Sequence, residues 1–113
     1  MDARDALVIR LREHLAEEPV TREIAMFGGR AFMLNEKMAC CAFKGGDLLV
    51  RIDAAEHDEL LDRPGAAPMV MGADRVMGPG WIVVDSGAID DEESLQWWLE
   101  KALAYNRAVT GRG

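Results

Sequence analysis

Basic charge is scarce and scattered in this chain. Lys and Arg number 13 against 20 Asp and Glu, for a net charge of −7. Nucleic-acid binders draw most of their affinity from clustered cations that neutralise phosphates. No basic run occurs here, so direct nucleic-acid binding is not expected. Attachment to anionic membrane surfaces is disfavoured on the same ground. Cysteine is also scarce. The two residues, Cys40 and Cys41, are adjacent, which is no disulfide framework. No run approaches the roughly 18 apolar residues that span a bilayer. The opening MDARDALVIRLREHLAEEP lacks the apolar centre of a signal peptide. These absences point to a soluble protein of a reducing cytoplasm, with no membrane partner. H-E-x-x-H, Cys-x-x-Cys and G-x-S-x-G are missing as well. No nucleophile, base and oxyanion donor assemble in sequence, so no enzyme and no cofactor are expected.

What is present suits one packed domain. The chain has 113 residues, half of them apolar, enough to bury about two-thirds of the unfolded surface. Leu7, Val8, Leu11 and Leu15 recur at helical spacing and predict a helix over Asp2 to Glu18, stopped by Pro19. Short apolar runs follow at Arg30 to Leu34, Lys37 to Lys44 and Asp47 to Asp53. Asn35-Glu36 and Gly45-Gly46 provide tight turns. In the third run Leu48, Val50 and Ile52 share a face, and Arg51 points the other way. Asp53 and Glu56 resemble a capping box before a short helix through Leu60 and Leu61, which Arg63-Pro64-Gly65 ends. Pro68 to Met77 and Gly80 to Asp85 read as two more strands, with a turn near Gly72-Ala73-Asp74. A last helix starts at Asp90, boxed with Glu93. Its core stripe is Leu95, Trp98, Leu99, Ala102 and Leu103. The order α-β-β-β-α-β-β-α predicts a two-layer α+β domain, with a five-stranded, mainly antiparallel sheet and helices on one face.

The densest stretch is MFGGRAFMLNEKMACCAF, Met26 to Phe43. Gly28-Gly29 precedes a strand, so it is a bend and not a phosphate loop, which needs a following helix N-terminus. Cys40 and Cys41, adjacent on a strand, point to opposite faces and cannot share a metal. The methionines, Met26, Met33, Met38, Met69, Met71 and Met77, could offer soft ligands to copper(I), but such residues more often fill an irregular core. His14 and His57 lie on different helices, and His57 reads as part of a solvated, acidic face. Trp97 is rotated about 100° from the core stripe; it either covers the sheet edge, the commoner place for a large aromatic, or sits at a partner or dimer surface. Beside it lie Asp85, Asp90, Asp91, Glu92 and Glu93, an acidic patch without a base, which also favours the helix N-terminus.

The ordered series of motifs resembles the TfoX N-terminal domain family (TfoX/Sxy). It comprises Met26-Phe27-Gly28-Gly29, the strand RAFML, and NEKMA with Lys37 and Met38. Gly46 to Asp53 follows, then the stretch around Met69, GWIVVD with Trp81, and the helix carrying Trp98. The resemblance implies a small α+β domain with an antiparallel sheet and no catalytic residues. The family takes its name from regulators of bacterial competence that carry a second, helical C-terminal domain. This chain stops at Gly113, so that second domain, and with it a competence role, is not expected. Arg outnumbers Lys ten to three, which hints at a GC-rich bacterial genome. The expectation is a non-enzymatic cytoplasmic module acting in regulation through an unknown protein partner. A homodimer through a sheet edge or the last helix belongs to that reading. The alternative is a small-molecule or metal-ligand binding module, to be recognised by an apolar pocket with a few polar groups.

Overall fold

The computed structural model describes residues 1–71 and 75–111. The turn expected near Gly72-Ala73-Asp74 lies outside them. Six strands form one antiparallel sheet: β1 (Val20–Met26), β2 (Gly29–Leu34), β3 (Lys37–Ala42), β4 (Leu48–Arg51), β5 (Ala66–Pro68) and β8 (Trp81–Val84). Their spatial order is β1-β2-β3-β4-β8-β5. Two further strands, β6 (Val70–Met71) and β7 (Arg75–Val76), make a separate hairpin. The helices are α1 (Ala3–His14), α2 (His57–Leu61) and α3 (Glu92–Thr110).

The α+β architecture with an antiparallel sheet follows the sequence reading, but the sheet has six strands where five were expected. β1 is the addition. It is an edge strand paired on one side only, so it tolerates charge: Glu23 accepts two hydrogen bonds from Arg12 of α1 at 2.8 and 2.9 Å. The strand expected over Pro68 to Met77 is divided. Only Pro68 belongs to β5 at the sheet edge, and Val70–Met71 and Arg75–Val76 form the β6–β7 hairpin. α1 ends at His14, short of Glu18, and the chain then turns through 3.0–3.4 Å bonds from Ala16 N–H to Glu13 and from Glu18 N–H to Leu15.

Strand alternation separates two apolar layers. Phe32, Cys40, Val50 and Ile82 stand side by side across four strands. They face α1 and α3 and merge with Leu7, Leu11, Leu95, Trp98 and Leu99 into the main core. The neighbouring row, Ala31, Cys41, Leu49 and Val83, faces away from the helices. Among the described residues no helical side chain belongs to this second layer; Met33 and Met69 pack there, with Met26, Phe27, Phe43, Met77 and Trp81 around them. A register shift after Phe32 pairs Met33 with Met38 and leaves Ala39 as the extra residue. Such a bulge re-aims the following side chains. It lets Ala39 and Cys40 both enter the main core while Met38 joins the opposite layer.

The turns are tighter than composition alone indicates. Met26 pairs with Gly29, so Phe27-Gly28 is a two-residue hairpin loop, and both residues have positive φ, 54° and 75°. That is the primed turn which matches strand twist. Asn35 and Glu36 repeat it at 53° and 66°. Gly45-Gly46 is different: only Gly46 has positive φ, and Phe43 C=O accepts from Gly46 N–H while Phe43 N–H donates to Asp47. The loop therefore has three residues, a common alternative built on one left-handed position.

Candidate functional site

Strand ends and the last turns of α3 meet at one end of the sheet, on its helix-free face. β4 ends there at Arg51, whose cross-strand neighbour is Trp81, the first residue of β8. β2 ends in Met33 and Leu34, and β3 begins with Lys37 and Met38. The tip of the first hairpin comes back over this face, placing the Phe27 ring 6.2 Å from Trp81 in an edge-to-face contact. α3 contributes Tyr105, Asn106 and Val109. Together these residues enclose a groove of about 690 Å³, within the size range of small-molecule sites.

Arg51 is the centre of the groove. Its guanidinium carbon lies 4.9 Å from the Trp81 ring centroid and 4.7 Å from that of Tyr105. Such cation–aromatic contacts contribute about 0.5–1 kcal/mol each at partly exposed sites. Its Nη1 donates to the carbonyls of Ile52 (3.0 Å) and Gly80 (3.1 Å). The close seat requires glycine at position 80: a Cβ there would lie 2.1 Å from Arg51 Nη1 and 2.8 Å from the Ile52 carbonyl, and φ is +94°. Gly80 N–H in turn donates to His57 Nδ1 at 2.9 Å. His57 is therefore buried and engaged, not on the solvated face that its acidic neighbours suggest; as an acceptor at Nδ1 it carries its proton on Nε2.

Asn106 is the second polar point. It is 2 % exposed and continues the α3 core stripe one turn beyond Ala102. Its Nδ2 donates to the Leu34 carbonyl (3.1 Å) and the Lys37 carbonyl (3.5 Å), which fixes the amide orientation. Its Oδ1 is buried with no hydrogen-bond partner among the described residues. Leaving a buried acceptor unpaired costs about 1–3 kcal/mol. Neither Asn106 nor Tyr105 was singled out from sequence. The signal was present as a polar residue on an otherwise apolar helical stripe.

The sequence-predicted residues divide between this groove and other places. Met26, Phe27, Lys37, Met38 and Trp81 line the groove. Gly28 shapes the turn that aims Phe27, and Gly29 allows close strand approach, since a Cβ there would sit 2.2 Å from the Ala42 carbonyl. Trp98 belongs to the main core on the opposite face. Trp97 lies beside it, edge-to-face at 5.1 Å, half-buried beneath Arg63, whose guanidinium carbon is 3.6 Å from the ring centroid. The acidic patch is not without a base. Glu92 accepts from Arg10 at 2.6 Å and pairs with His14, and these bonds hold its carboxyl below the usual range. Asp91, and not Asp90, is the N-cap of α3: it accepts from Ser94 N–H at 2.8 Å, which lowers its own pKa. Asp90 is exposed beside that cap.

Cys40 and Cys41 do point to opposite faces. Burial pushes both thiols up, Cys41 to about 11 and Cys40 further. The Cys41 thiol donates weakly to the Met26 carbonyl at 3.6 Å. Among the described residues, no group of three or more His, Cys, Asp or Glu could hold a metal ion. Among the same residues, no helix is long and apolar enough to cross a membrane.

The fold and site define a small α+β domain with a cation- and aromatic-lined groove on the open face of its sheet. The family model for the TfoX N-terminal domain matches residues 13–105, most of the chain, and the protein belongs to this family. No curated protein and no solved structure matches the chain.

Proposed function

We propose that this TfoX N-terminal domain is a non-catalytic binding module whose groove on the helix-free face takes a small molecule. The observation that carries the reading is convergence. Met26, Phe27, Lys37, Met38 and Trp81 come from separate strands and turns, yet all line one cavity with Arg51, Tyr105 and Asn106. Apolar walls with few, well-placed polar groups are the signature of ligand sites. Methionine and aromatic walls adapt to a flat apolar ligand. The two histidines that could serve as bases are engaged elsewhere, with Glu92 and with Gly80 N–H. Occupancy, and not turnover, is then the output, which suits a regulatory role.

The test is titration with N-phenyl-1-naphthylamine, a neutral dye that fluoresces in apolar sites. Saturable one-to-one binding is expected, lost in Trp81→Ala and retained in Trp97→Ala on the opposite face. Absence of saturable binding to the wild type sinks the reading.

A protein partner, or a second copy of the chain, is the second reading. Val70 and Val76 pair across the β6–β7 hairpin and remain 50 % and 59 % exposed, a small apolar patch of the kind that marks contacts. A solution mass of one chain at micromolar concentration counts against the homodimer.

A further inference from the structure

We infer that the ligand of this groove carries an anionic head group, held by Arg51, on a flat apolar body. The inference rests on the groove being the binding site and adds the chemical class that it selects.

The first support is an imbalance of partners. The chain has carboxylates to spare, 20 against 13 Lys and Arg. Arg10, Arg12, Arg22, Arg30 and Arg107 each meet one of them. Arg51, like Arg63 and Arg75, meets none among the described residues; its contacts are two carbonyls and two rings. Both carbonyl bonds use Nη1. The N–H groups of Nε and Nη2 have no hydrogen-bond acceptor among the described residues. That edge of a guanidinium is the fork that grips a carboxylate, sulfonate or phosphate with two parallel bonds.

The second support is preorganisation. Trp81 and Tyr105 lie against the guanidinium, and the carbonyls of Ile52 and Gly80 fix its position. Ordering a long side chain is a main cost of binding, and here it is already met in the free protein. Lys37 adds a second cation at the rim. Glu36 lines the groove too, but its charge is paired with Arg22 at 3.0 Å. The net charge of −7 does not prevent anion binding, because exposed charges beyond about 8 Å are screened at physiological salt.

Apolar surface surrounds this anchor. Met33, Met38, Phe27 and Trp81 supply walls suited to a planar body. Asn106 lines the same groove.

Two probes that differ by one group test the idea. N-Phenyl-1-naphthylamine is neutral; 8-anilinonaphthalene-1-sulfonate has the same rings and N–H with an added sulfonate. Both are titrated into the wild type and Arg51→Gln by fluorescence, at 0.05 and 0.5 M salt. The sulfonate is expected to bind about tenfold tighter than the neutral amine at one site per chain, the scale of one charge-assisted contact. That preference should shrink at high salt and vanish in Arg51→Gln, where the two probes bind with equal affinity. Equal affinity of the two probes for the wild type, or a preference that survives Arg51→Gln, overturns the inference. If the amine alone binds, the groove reading stands and the anion falls; if neither binds, both fall. Should Arg51→Gln fail to fold, the wild-type preference and its salt dependence decide.

Discussion

Gly80→Ala is expected to disturb the groove from behind. The new Cβ would lie 2.1 Å from Arg51 Nη1 and 2.8 Å from the Ile52 carbonyl. The backbone has little freedom to relax, because Gly80 N–H is held by His57 and its carbonyl accepts from both Ile52 N–H and Arg51. A left-handed φ adds about 1–2 kcal/mol for a residue with a Cβ. Expelling Arg51 removes two aromatic contacts, about 1–2 kcal/mol together, and two carbonyl bonds that water largely replaces at this half-exposed position. The sum is about 3 kcal/mol, or roughly 10 °C in Tm for a domain of this size. Urea denaturation of the wild type, Gly80→Ala, Arg51→Met and the double variant separates the contributions. The cost of Gly80→Ala should fall by about 1 kcal/mol in the Arg51→Met background, beyond the usual additivity error of about 0.5 kcal/mol. A total cost below about 1 kcal/mol, or the same cost in both backgrounds, would refute the packing described for Arg51.

Other consequences are simpler to check. Glu36 holds φ 66° in a turn that favours Asn-Gly; Glu36→Gly should stabilise by about 1 kcal/mol in urea, and a loss of stability would contradict the turn assignment. Cys40 and Cys41 are buried with raised pKa values, so native protein should resist a thiol reagent at pH 8 and label at both sites once unfolded; fast native labelling would show an open second layer. Glu23, held by Arg12, and Glu92, held by His14 and Arg10, have folded carboxyls below the unfolded value of 4.5. They bind protons less readily when folded, so their contribution is present above that value and drains as pH falls through and below it. Tm should therefore drop between pH 5 and 3, less so at high salt. A flat profile would show that these pairs carry nothing.

The periodic elements were legible because periodicity reports burial directly. The α3 stripe of Leu95, Trp98, Leu99 and Ala102 is buried as spacing predicts. The alternation that sends Val50 and Arg51 to opposite faces also holds. β1 was hidden because an edge strand needs an apolar face only in part, and its Glu23 serves an ion pair with α1. His57 and the acidic residues misled for one shared reason. Sequence neighbours suggest a solvated cluster, whereas the partners that matter, Gly80 and Arg10, come from distant segments. The groove was illegible as a unit. Its walls come from the first hairpin, the ends of β2 and β4, the starts of β3 and β8, and the last turns of α3. Only the tertiary fold joins Phe27 to Trp81 and Arg51 to Tyr105. The bulge at Ala39, which turns Met38 toward the groove, has no marker in composition.

The most direct measurement is an NMR titration with methionine methyl groups labelled with carbon-13 and indole nitrogens with nitrogen-15, adding 8-anilinonaphthalene-1-sulfonate to the full chain. Met33 and Met38 line the groove, whereas Met1 is 89 % exposed at the terminus. The account predicts saturable shifts at Met33 and Met38, with Met1 and the Trp97 indole unmoved. Shifts centred on Trp97, or none at the groove methionines at saturating probe, would contradict it.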